Sequence, residues 1–139
     1  MATSSEANDF FPDKSYFERT VSGLGGGSAT IGLAGLTIRF TGLPADLVTR
    51  IDSVYAPFLT SEEPQHSALV CQGSGQYLTL DSGMIRLRES MFDGGGMSLV
   101  SHDFAAYRNG GSGKLFVSNP ADPIQTTRAL ENYMRWVMA

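Results

Sequence analysis

Three residue types able to do hydrolytic chemistry stand together at Ser101-His102-Asp103. A nucleophile–base–orienter relay requires the three side chains to converge. The surrounding MSLVSHD reads as a strand, where neighbours point to opposite faces, so these three are not expected to form a relay. His102 is therefore expected at the surface. The other histidine, His66, lies in a different segment, and metal binding needs ligands more clustered than these two. Cys71 is the single cysteine. One thiol excludes an internal disulfide framework and a cysteine-based zinc site, and its place in the apolar run SALVC marks a small core residue. No catalytic residue, metal ligand or cofactor site is expected in this chain.

Two glycine runs invite a phosphate-binding reading. GLGGGS at 23–28 has Ser28 where the dinucleotide pattern requires a third glycine. A helix before it and a strand after it reverse the order that pattern needs. It reads as a flexible connector. NGGSGK at 109–114 has Arg108 in place of the first Walker glycine, and Leu115 where a magnesium-binding hydroxyl belongs. It reads as a hairpin turn.

The elements that would position any site follow from periodicity. Phe10, Phe11, Tyr16 and Phe17 gather near the start, with Ser15 and Glu18 as a capping box for a short helix ending near Gly23. This arm either folds back on the core or docks a partner. Thr30–Thr41 alternates as one strand. Pro44 at the first helical position then opens a helix with Leu47, Val48, Ile51, Val54, Tyr55 and Phe58 as its apolar stripe. SALVCQ, QYLTLD, MIRLRES, MSLVSHD, FAAYRN and KLFVS, separated by glycine-rich turns, predict antiparallel hairpins. In MIRLRES, Ile85 and Leu87 face inward and Arg86 and Arg88 outward, a pair that could hold an acidic partner or simply form a solvated face. The last helix begins at Asp122-Pro123, with Asp122 as cap and Gln125 in the capping-box position. Leu130, Tyr133, Met134 and Val137 form its stripe, Trp136 and Met138 widen it, and its end carries no stop signal.

The resulting fold class is α+β: an antiparallel sheet of about six or seven short strands with two main helices packed on one face. Residues 1–28 are an arm and connector, and 29–139 a single domain. Alternation in most strands predicts one covered and one wet face. The 139 residues carry a net charge of −4 and 17% charged residues. That is an ordinary globular composition without the basic stripe a nucleic-acid partner requires. No run approaches the ~18 apolar residues of a membrane span, and the N-terminus lacks a secretory signal, so a cytoplasmic location is expected.

Two segments carry a family resemblance. GLPADLVTRIDSVYAPFL, after an Ile-Arg-Phe strand, and the closing ENYMRWVMA resemble the N-terminal, non-catalytic domain of bacterial HPr kinase/phosphorylase-related proteins. In that family a small α+β domain ends in a similar helix and a nucleotide-binding kinase domain follows. The resemblance implies an accessory domain for substrate or partner recognition, or for regulation of the attached kinase. Asn132, Tyr133, Arg135 and Trp136 match the family's helix motif and, with Arg86 and Arg88, are the candidate interaction residues. No catalytic residue carries over, because the family's chemistry lies in its nucleotide-binding loop.

Two other readings compete. One is a stand-alone protein or peptide interaction module using the aromatic arm or the Trp136 face, as a homodimer in one version. The other is a small-molecule-binding domain or an enzyme without a recognisable motif.

Overall fold

Between Gly27 and Leu43 the alternating run makes two strands rather than one. β1 (Gly27–Leu33) and β2 (Leu36–Leu43) form a hairpin in which Leu33 faces Leu36. Ala34 and Gly35 turn the chain with φ of 49° and 84°. Two residues at positive φ give the turn whose twist matches paired strands. The single strand expected over Thr30–Thr41 is thereby corrected, since apolar alternation on both sides of Ala34-Gly35 conceals the reversal.

The computed structural model describes residues 9–79 and 87–139. After β2, Pro44 caps α2 (Ala45–Val54) from just outside rather than opening it, and a 3-10 turn follows at Ala56–Phe58. Leu47, Ile51 and Tyr55 are buried, while Val54 and Phe58 stay 46% and 42% exposed. This helical stretch carries the chain over the sheet to β3 (His66–Gln72), which lies parallel to β2. A crossover of this kind is what parallel neighbours require.

The chain then moves to the far edge and returns as a meander. β4 (Arg88–Met91), β5 (Met97–Val100), β6 (Phe104–Asn109) and β7 (Ser112–Val117) pair antiparallel in turn. β7 closes against β3 in parallel, giving, among the described residues, seven strands in the order β1-β2-β3-β7-β6-β5-β4. The α+β class and strand number match expectation, but the sheet is mixed rather than purely antiparallel. Residues 76–79 of QYLTLD are not strand. Ile85 and Arg86 lie outside the described residues, and Leu87 is 59% exposed rather than inward-facing.

Two buried clusters sandwich the sheet. On one face α2 and α3 (Pro123–Met138) cover Ile31, Ile38, Phe40, Val70 and Leu115. On the other, Phe17 of α1 (Lys14–Glu18) packs with Cys71, Tyr77, Tyr107 and Phe116. The expected wet face is thus covered by the N-terminal arm. Asp13, not Ser15, caps α1, accepting from the Tyr16 amide at 2.9 Å while the Ser15 hydroxyl also donates to it. The Lys114 ammonium donates to the carbonyls of Phe17 and Arg19 at 2.7 and 2.6 Å, satisfying the end of this helix. Gly23 bridges to Cys71, and a Cβ there would collide with the Gly42 backbone. The glycine run is therefore packed where it enters the sheet. No helix among the described residues is long and apolar enough to cross a membrane.

Candidate functional site

α3 starts at Asp122, whose carboxylate accepts from the amides of Ile124 and Gln125 at 3.0 and 3.2 Å. This fixes which residues of the helix face the sheet. Leu130, Tyr133, Met134 and Trp136 are buried. The motif residues consequently divide by direction. Tyr133 points into the core, its hydroxyl 2.6 Å from His66 Nε2. Trp136 donates Nε1–H to Glu89 at 2.7 Å and carries the Arg108 guanidinium over its ring at 4.6 Å. Arg135 is exposed and pairs loosely with Glu131 at 4.0 Å. Asn132 lines a concavity on one flank of the helix.

Of the two strand arginines singled out as candidates, Arg88 is among the described residues. Arg88 lies on the edge strand β4, stacked over the Phe11 ring at 4.6 Å. Its expected partner Arg86 lies outside the described residues.

The concavity beside Asn132 is the best-formed candidate site. It is a groove of about 490 Å³ between α3 and the β5–β6 turn, within the ~300–1,000 Å³ range of ligand pockets. Phe104 and Leu87 supply apolar wall; His102, Asp103, Arg128 and Asn132 supply polar groups. Residues 101–103 belong to a turn rather than a strand, so the three side chains expected to diverge all border one groove. They still form no relay. His102 Nδ1 lies 2.9 Å from the Leu78 carbonyl. A carbonyl only accepts, so Nδ1 carries the proton and Nε2 is left as acceptor. Asp103 pairs instead with Arg128 at 3.7 Å. The arrangement offers donors and acceptors of both charge signs around an apolar wall, which suits binding rather than nucleophilic attack.

The remaining candidates have structural roles. Cys71 is buried, and burial pushes its thiol up to about 11, so no thiolate nucleophile is present near neutrality. Gly113, within the loop that superficially resembles a phosphate loop, makes room for Tyr133: a Cβ there would overlap the hydroxyl. Among the described residues no three His, Cys, Asp or Glu side chains group as metal ligands. The groove escaped sequence reading because its halves lie far apart in the chain. The signal that existed was Gln125, Arg128 and Asn132, a polar stripe on the flank of an apolar helix.

Comparison of the chain with protein-family models, curated proteins and solved structures finds no match in any of the three.

Proposed function

We propose that this chain is a non-catalytic recognition or regulatory domain of an HPr kinase-related protein, acting in the cytoplasm without a cofactor of its own. One observation carries the reading. The two segments that bear the resemblance lie far apart in sequence yet pack side by side: Leu47, Ile51 and Tyr55 of the first share one buried cluster with Tyr133, Met134 and Trp136 of the second. They form one structural unit on one sheet face, as a shared family core would. Tyr133 and Trp136 serve that core, which leaves ligand contact to exposed surfaces such as the Asn132 groove. The test is to read the coding sequence past the codon for Ala139. A GxxxxGK[ST] loop within a few dozen codons is expected, and a stop codon directly after Ala139 would count heavily against the proposal.

A second reading is favoured by the groove itself: a stand-alone domain that binds a small polar molecule between α3 and the β5–β6 turn. It predicts that a fragment screen followed by NMR finds ligands shifting the His102 and Asn132 signals. Hits that avoid the groove would remove it.

A further inference from the structure

We infer that the acidic, apolar surface at the β1–β2 turn end of the domain docks a basic polypeptide segment through a single apolar anchor side chain. This builds on the recognition role proposed above but does not require that a kinase domain follows. Two hollows meet there at Leu33. The broader, about 800 Å³, lies between the β1–β2 turn and residues 57–65, with Phe58 and Leu59 beside Glu62 and Glu63. The smaller, about 230 Å³, lies between Tyr55 and the last turns of α3, lined by Glu131, Met134, Arg135 and Met138. That volume is below the ~300 Å³ at which pockets begin to hold drug-sized ligands, and it suits one side chain.

Three observations select the occupant. Phe58, Leu59 and Met138 all remain substantially exposed around the two hollows. Such a concentration of apolar surface is a mark of protein contact. The charged groups are three carboxylates, Glu62, Glu63 and Glu131, against one guanidinium, Arg135, which already pairs with Glu131. A basic partner is attracted, whereas nucleic acid or an anionic membrane is repelled. Finally, Tyr55 is only 8% exposed, and its hydroxyl faces the Glu131 carboxylate without completing a well-formed hydrogen bond. An incompletely bonded buried hydroxyl is a donor that the backbone of a docked segment can meet. Burial, with Glu131 close by, also holds this phenol well above its ordinary range, so it remains a neutral donor.

The test is an NMR titration of the isotope-labelled 139-residue chain with three end-blocked peptides: Lys-Lys-Leu-Lys-Lys, Lys-Lys-Ser-Lys-Lys and Glu-Glu-Leu-Glu-Glu. The leucine–lysine peptide is expected to shift the Met134 and Met138 methyls and the Glu62 and Glu63 amides saturably. The other two should bind at least about tenfold more weakly. The exposed double substitution Glu62→Lys with Glu63→Lys should weaken binding by a similar factor without unfolding the chain, and Tyr55→Phe should weaken it less. Equal response to the serine peptide, shifts scattered over the whole surface, or no saturation by about 5 mM would overturn the inference. So would concentration-dependent shifts at the same residues without peptide, which would make a second copy the occupant. None of these results bears on what the coding sequence holds beyond Ala139, so the two proposals fail separately.

Discussion

His66 and Tyr133 place two polar groups inside an apolar core, and each depends on the other. Both are almost fully buried, and their 2.6 Å contact bridges β3 and α3. Burial, with the Arg108 charge adding to it, holds the His66 ring below its ordinary value of 6.5. The linkage has a definite sign. The unfolded chain takes up a proton on His66 more readily than the folded one, so stability is full above pH ~6.5 and falls as pH drops below it. Equilibrium urea unfolding of the wild type should show a midpoint declining from pH 7 toward 5.5, a range in which ordinary carboxylates remain ionised. His66→Asn should flatten that decline while lowering the midpoint at every pH. Equal slopes in the two proteins would rule His66 out as the titrating group. Tyr133 matched a sequence motif as a candidate contact, yet its partner histidine and the glycine that admits it sit on two strands, β3 and β7. Spacing along α3 could show that Tyr133 faces inward; it could not show what it would meet.

At the scale of elements, local signals were legible where a side chain acts on its own backbone. Asp122 and Pro123 mark the start of α3, and the stripe through Leu47 and Ile51 marks α2. Legibility failed where one pattern ran through a boundary. Leu33 and Leu36 continue the same alternation on either side of the reversal, so two strands read as one. The helix between β2 and β3 was itself the signal for a parallel pair, since a crossover returns the next strand in the same direction. The missed turn makes a prediction of its own. Ala34 sits at φ 49°, where a Cβ is disfavoured, and is followed by Gly35 at 84°. Asn is the residue best suited to the first of two such positions. Ala34→Asn should raise stability by about 1 kcal/mol, read as a higher urea midpoint at unchanged m-value. A lower midpoint would mean that Ala34 is not held in the left-handed region in solution.

For the molecule as a whole, the decisive feature is that both faces of the sheet are covered by unequal means. Helices α2 and α3 cover one face; a five-residue helix and its flanking arm cover much of the other. Such a short helix cannot persist by its own propensity. It is held from outside by the Lys114 ammonium on its last carbonyls and by the Tyr107 hydroxyl on Glu18 at 2.7 Å. The main contribution is apolar: Phe17 is fully buried, stacked on Tyr107 at 5.3 Å and edge-on to Phe116 at 5.7 Å. Parallel β3 and β7 lie at the centre, where sheets are normally buried on both sides, so the arm completes the fold rather than decorating it. Phe17→Ala should therefore cost about 3–5 kcal/mol, the loss expected for a buried core aromatic. Hydrogen exchange supplies the discriminating measurement. If the arm closes the second face, the substitution accelerates exchange at β6 and β7 amides, beneath Phe17, more than at β1 and β2 on the far side. A cost under about 1 kcal/mol, with protection at β7 unchanged, would mean that the arm is an appendage.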